Sequence, residues 1–288
     1  MAKGRVIKAY NSFFYVQTDD TLVTCKLRGK FKKRQGVYPG YLVGVGLLPD
    51  GTGVVERLLP RESLMRRPLV ANVDQVVLTF AAAQPDPHPL LVSRFLVLAE
   101  WSGLSRILVC VNKSDLPPAA DEAFKICESA GYQVLHVSAQ TGAGVDALRR
   151  ELSGHITCFA GPSGVGKSSL LNAIEPGLSL QTGHVSEKIK RGRHTTRVAE
   201  LLPFAGGYIV DTPGFSSMEL DGIDKLLLPS YFPEFRPYLG HCRFSPCSHS
   251  HEPDCAVKDA VAAGSIPQER YDAYLSILEE IHDNQKKY

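Results

Sequence analysis

Glycines at Gly161, Gly164 and Gly166, closed by Lys167 and Ser168, constrain this chain more than any other feature. The full run is Gly161, Pro162, Ser163, Gly164, Val165, Gly166, Lys167, Ser168 and Ser169, set between an apolar stretch at 155–160 and a helix-forming one. The spacing Gly-x4-Gly-Lys-Ser is that of a phosphate-binding loop. Glycines let successive backbone N–H groups curl toward an anion, and the helix that follows turns the positive end of its dipole to the same point. Lys167 is expected to reach the β- and γ-phosphates of a nucleotide, and Ser168 to place its hydroxyl on Mg2+. Strand, loop and helix must follow one another here, so the surrounding domain is expected to be α/β.

The flanking pattern agrees. Apolar strands are predicted at 73–80, 106–111, 133–137 and 155–160, with helices at 90–102, 120–130 and 145–152 between them. The first of these helices reads as amphipathic. Strands alternating with helices imply a parallel sheet covered on both faces. Two further strands are expected near 198–204 and 207–210, and 176–197 lacks periodicity and reads as a mobile loop.

A phosphate-binding loop does not choose a base. Asn112, Lys113, Ser114 and Asp115 end a predicted strand, where a loop faces the ligand of an open α/β sheet. A carboxylate at Asp115 accepts both the N1–H and the exocyclic amine of guanine, a donor pair that adenine lacks. Asn112 is expected to brace the loop and Lys113 to lie along the base. Ser138 and Ala139 end the next strand, and the Ala139 N–H suits the guanine O6. Asp211, Thr212, Pro213 and Gly214 end another strand. Asp211 is expected to hold Mg2+ through water and the Gly214 N–H to sense the γ-phosphate. Thr195 and Thr196 stand where a switch threonine belongs, Thr196 being the expected magnesium ligand. These five signatures define a GTPase of the translation-factor type. Their order is permuted: the guanine-reading pair precedes the phosphate loop, and the switches follow it.

Cys242, Cys247, His249 and Cys255 offer three thiolates and an imidazole within 14 residues. Such a set suits one structural Zn2+ with no open coordination position. His241 and His251 are rivals for the fourth ligand. The other four cysteines, Cys25, Cys110, Cys127 and Cys158, are scattered among apolar residues and read as small buried hydrophobes. Seven cysteines so distributed suggest reduced thiols and a metal, not a disulfide framework. A helix follows at about 267–282, where Tyr271, Tyr274, Leu275, Leu278 and Ile281 share one apolar face that reads as packing.

Five short runs at 4–9, 13–17, 22–27, 42–47 and 53–58 suggest a small Greek-key barrel such as an OB-fold. Residues 1–67 carry 13 Lys/Arg against 5 Asp/Glu, whereas the whole chain is only +2. A front end this basic points to a polyanionic partner, with a merely solubilising surface as the plainer alternative. Lys26, Arg28, Lys30, Lys32, Lys33 and Arg34 are the expected phosphate contacts. Phe13, Phe14 and Tyr15 are candidates for base stacking, although strand alternation requires some of them to be core. The expected architecture is an OB-fold barrel at 1–68, a permuted α/β P-loop GTPase at 69–220 and an α-rich zinc module at 221–288.

Motifs, their order and both flanking modules resemble, across essentially the whole chain, the circularly permuted GTPases of ribosome assembly known as small-subunit-dependent GTPase A (RsgA). The resemblance implies GTP hydrolysis stimulated by the 30S subunit late in its maturation, contact with 16S rRNA, and a zinc module with these same cysteine and histidine spacings. It also bears on catalysis. The position after Gly214 is Phe215, which cannot orient water, so another group must. His194, directly before Thr195, matches the histidine that the family carries in this motif. A competing reading makes the protein an RNA-binding checkpoint whose GTP acts only as a clamp. An ATP-dependent enzyme is disfavoured by Asp115. The start of the chain has no signal-peptide core and no stretch approaches the ~20 apolar residues of a membrane helix, so a cytoplasmic protein without a membrane partner is expected. Nothing suggests an obligate dimer, and a monomer is expected.

Overall fold

The computed structural model describes residues 2–29, 36–66, 69–119, 121–176, 199–215, 220 and 222–286. Five strands close on themselves at the N-terminus: β1 (Ala2–Tyr10), β2 (Phe13–Thr18), β3 (Leu22–Leu27), β4 (Leu42–Leu47) and β5 (Gly53–Leu58). Their order is β1-β2-β3-β5-β4, and β4 returns to pair with β1. The β3–β5 pairing is parallel and the others are antiparallel, which is the partly open Greek-key barrel expected. Val6, Val16, Val23, Cys25, Val43, Val45 and Val55 fill its core. Alternation sorts the three aromatics. Phe14 is buried in that core, Tyr15 packs against the neighbouring domain's core, and Phe13 stays in solvent. A hairpin of two three-residue strands, β6 (Leu64–Arg66) and β7 (Leu69–Ala71), follows and has no counterpart in the sequence reading.

The central sheet runs in the order β10-β9-β8-β11-β13-β12. Its members are β8 (Gln75–Ala81), β9 (Arg106–Asn112), β10 (Gln133–His136), β11 (Ile156–Ala160), β12 (Glu200–Phe204) and β13 (Gly207–Phe215). β10, β9, β8, β11 and β13 run parallel, and β12 pairs antiparallel with β13. β8 is buried at all seven positions and β11 at all five, as strands covered on both faces must be. The covering helices include α1 (Pro89–Trp101), α2 (Asp121–Ser129), α3 (Val145–Leu152) and α4 (Lys167–Ile174). β12 also pairs with β1 of the barrel at Lys8 and Glu200, so barrel and central sheet are hydrogen-bonded to each other.

α1 departs from the amphipathic expectation. Val92, Phe95, Leu96 and Ala99 pack on the sheet, while Val97 and Leu98 join the core of the C-terminal module. The helix is a shared wall between two cores, and a wall has no polar face. The module itself consists of 3-10 turns at Leu228–Tyr231 and Pro233–Tyr238, then α5 (Ala256–Ala262) and α6 (Gln268–Lys286). Phe232 and Phe235 stack at 5.0 Å and meet Tyr274 edge-on. Buried in the same core, Arg270 pairs with Glu234 at 2.5 Å, donates to Ser93 of α1 at 3.0 Å, and lies 4.5 Å over the Phe232 ring. Among the described residues no helix is long and apolar enough to cross a membrane.

Candidate nucleotide site and metal centre

β8, β9, β11 and β13 release their chains at the same edge of the sheet, the C-terminal ends of the parallel strands, where open α/β folds hold their ligands. Gly161 leaves β11 with φ +139°, and a Cβ there would stand 2.0 Å from the Thr79 carbonyl oxygen. Gly166 takes φ +89°, and a Cβ there would meet the Asn112 amide at 2.5 Å. Both take a φ that L side chains rarely adopt, and at Gly161 a side chain would also collide with backbone. Between them Pro162, Ser163, Gly164 and Val165 form the loop, with Ser163 exposed and Val165 buried. Lys167 opens α4 and folds its ammonium back onto the carbonyls of Gly161 and Pro162 at 2.7 and 2.6 Å. Burial holds that ammonium's pKa below its usual value. Ser168 is half-buried and Ser169 exposed in the same first turn.

Asn112 joins the motifs. Its Nδ2 donates to the Val165 carbonyl at 2.9 Å, and its Oδ1 accepts from the Ala139 N–H at 3.0 Å. Lys113 donates to the carbonyls of Gly164, at 2.9 Å, and of Gln84. Ser138, fully buried, donates its hydroxyl to Asp115 Oδ1 at 2.5 Å and accepts from the Thr141 N–H at 3.1 Å. Asp115 is thus held by one oxygen while the residue stays exposed. The 82–88 loop is a partner that sequence reasoning missed. Its Gln84 carbonyl meets Lys113, and Pro85 lies 3.7 Å from where a Gly164 Cβ would be. Carbonyl contacts of this kind leave no mark in composition or periodicity.

Asp211 lies in β13 opposite Glu200 of β12. Burial raises its carboxyl pKa above the usual value, Glu200 raises it further and Lys8 opposes both. An irregularity in the β11–β13 pairing sets Phe215 opposite Ala160, the last residue of β11, so β13 ends beside the strand that leads into the phosphate loop. The carboxylate of Asp211 and the hydroxyl of Ser168 are hard oxygen donors suited to Mg2+. His194, Thr195 and Thr196 lie outside the described residues, as do Lys30, Lys32, Lys33 and Arg34.

Cys242, Cys247, His249 and Cys255 bring their ligand atoms within 4.8 Å of one another. Cys242 Sγ and Cys255 Sγ are 3.8 Å apart, and His249 Nδ1 is 3.4 Å from each. Four thiolate and imidazole donors at the edge lengths of a tetrahedron about 4 Å across fit zinc. Of the rival histidines, His251 is exposed and bonded to Ser250. Three groups hold the ligand loop. The Tyr271 hydroxyl donates to the His249 carbonyl at 2.8 Å, that of Tyr274 donates to the Ser248 carbonyl, and Glu252 accepts from the Ser248 N–H at 2.8 Å. The apolar face of α6 therefore packs and also carries two hydroxyls to the metal loop. The scattered cysteines are all buried, and burial raises the thiols of Cys25 and Cys127 to about 11 and that of Cys158 to about 12.

Motifs that converge at one sheet edge, although the chain visits them in permuted order, define a circularly permuted P-loop GTPase with a barrel before it and a Cys3His module after it. Residues 57–221 match the family model for the RsgA GTPase and residues 3–54 that for the RsgA N-terminal domain. The chain belongs to the RsgA GTPase family and is a GTP-hydrolysing enzyme. Among curated relatives named small ribosomal subunit biogenesis GTPase RsgA, that of Carboxydothermus hydrogenoformans is 46% identical over 289 residues, covering 99% of both chains. That of Moorella thermoacetica is 43% identical with the same coverage. The crystal structure of YjeQ from Thermotoga maritima is 39% identical, with a TM-score of 0.86 over 97% of this chain and 98% of its own. YloQ, described as a circularly permuted GTPase, is 35% identical, with a TM-score of 0.83 over 99% of this chain and 96% of its own.

Proposed function

We propose that this GTPase acts in the cytoplasm, as a monomer, in late maturation of the 30S ribosomal subunit, and that the subunit stimulates its GTP hydrolysis. The names of its full-length relatives support the process, and the meeting of Asn112 with Val165 and Ala139 supports the nucleotide. In this reading residues 1–68 bind 16S rRNA, 69–220 turn over GTP, and 221–288 form a module built on one structural zinc ion. The backbone from Gly161 to Ser169 cradles the phosphates and Lys167 neutralises them. Asp115, aimed by Ser138, accepts the guanine N1–H and amine, and the Ala139 N–H, which donates to Asn112 Oδ1 in this structure, turns to O6 when guanine binds. Ser168, Thr196 and Asp211 hold Mg2+, which when bound offsets charge on the β- and γ-phosphates. The Gly214 N–H faces the γ-phosphate. His194 orients the attacking water, since Phe215 offers no hydrogen bond.

The barrel supplies the RNA contacts. Lys26 stands 5.3 Å over the exposed Phe13 ring, which makes Phe13 the stacking candidate among the three neighbouring aromatics. Arg28 follows Lys26 two residues on, 3.7 Å from Glu56, and Lys30, Lys32, Lys33 and Arg34 continue the basic run in the sequence.

A GTPase assay titrated with 30S subunits tests this reading. Turnover should rise with subunit concentration, His194→Ala should lose the rise while still binding GTP, and added salt should weaken subunit binding. Equal rates with and without subunits remove the proposal. Accelerated dissociation without accelerated turnover makes the protein a GTP-gated clamp.

A further inference from the structure

The joint between barrel and central sheet places three charges in one row. Lys8 of β1 is the register partner of Glu200 of β12, and Glu200 is that of Asp211 of β13. Register partners on antiparallel strands point to the same face with Cβ atoms about 5 Å apart. Lys8 Nζ donates to Glu200 Oε2 at 2.5 Å. The order across the sheet is therefore positive, negative, negative, and the last member is the carboxylate read above as the magnesium-side group. Like charges directly opposite each other are unfavourable, so Glu200 and Asp211 are neighbours that need a cation near them.

We infer that Lys8 is a positioning residue for the nucleotide site: by holding Glu200, it sets the negative potential at Asp211 and so the magnesium dependence of nucleotide binding. The inference rests on reading Asp211 as a magnesium-side group. It gives the barrel an electrostatic hold on the active site. A displacement of β1 withdraws Lys8, frees Glu200 beside Asp211 and deepens the negative potential that a divalent cation meets. The Lys8 and Glu200 side chains are 39% and 33% exposed, so the effect is screened and moderate.

The sign separates this role from a merely structural one. Lys8→Met and Glu200→Gln both break the same ion pair, and a joint that only held two domains together would respond alike to either. An electrostatic row responds in opposite directions. The measurement is the affinity of full-length protein for a fluorescent GDP, with and without Mg2+, expressed as the factor by which Mg2+ tightens binding. Lys8→Met should raise that factor about three-fold, Glu200→Gln should lower it about three-fold, and the double variant should return near wild type. High salt should shrink both shifts. If Asp211→Asn abolishes the Mg2+ effect while the two single variants shift it in the same direction or leave it alone, the inference is overturned and the reading of Asp211 stands. If Asp211→Asn leaves the Mg2+ effect intact, both fall.

Discussion

Asn112 Nδ2 donates to the Val165 carbonyl at 2.9 Å, joining the end of β9 to a phosphate loop 53 residues further along the chain. The site depends on where strands end, so it survives a change in the order in which the chain makes them. Asn112 is almost fully buried and also accepts from Ala139. Asn112→Ala leaves the buried Val165 carbonyl and the half-buried Ala139 N–H without this partner and should cost about 2–3 kcal/mol in urea unfolding, with weaker nucleotide binding.

Ser138 aims Asp115, and a hydrogen bond to a carboxylate contributes about 1.5–3 kcal/mol. Ser138→Ala should weaken GDP binding about ten-fold or more by this measure, with little loss of fold. Asp115→Asn should move preference from guanine to xanthine nucleotides, read by competition. An undiminished guanine preference would show that Asp115 does not select the base.

Arg270 and Glu234 are a desolvated pair, with side chains 1% and 5% exposed. Arg270 Nη2 has no hydrogen-bond partner among the described residues, and the residue lines a cavity of about 10 Å3, room for about one water. Removing one partner strands the other charge in a core. Arg270→Met and Glu234→Leu should each cost about 3–5 kcal/mol, and the double variant should recover much of it. Urea denaturation of the four proteins forms the cycle.

Zinc binding and folding of the C-terminal module should be one event. A strong chelator should lower its melting temperature and make three further thiols, Cys242, Cys247 and Cys255, reactive, while Cys25, Cys110, Cys127 and Cys158 stay protected. Tyr274→Phe removes one donor from the metal loop and should speed zinc loss without abolishing binding.

Glu252 titrates low. Burial alone raises its pKa, but hydrogen bonds from the Ser248 N–H and hydroxyl and the Ser250 N–H outweigh that and bring it from 4.5 to about 2. A carboxyl depressed by folding stabilises above its unfolded pKa and loses that contribution as pH falls toward the folded one. The melting-temperature gap between wild type and Glu252→Gln should be full at neutral pH and close between about pH 4.5 and 2.

Much of this protein was legible because its signals are local. Glycines and apolar runs bound the five barrel strands to within a residue or two, and α3 spans the predicted 145–152. The phosphate loop, the Asn112–Asp115 turn and the cysteine cluster each announce a chemistry within a few positions. Strands of three residues, as in β6 and β7, and a seven-residue α5 are too short to show a period, so they went unread. Tertiary structure alone decided which of Phe13, Phe14 and Tyr15 faces solvent, that α1 is a wall between two cores, and that Arg270 is buried. It alone set Lys8, Glu200 and Asp211 in one row. The reason is physical: a sequence pattern records whether a face is covered, whereas what covers it depends on contacts between residues up to about 200 positions apart.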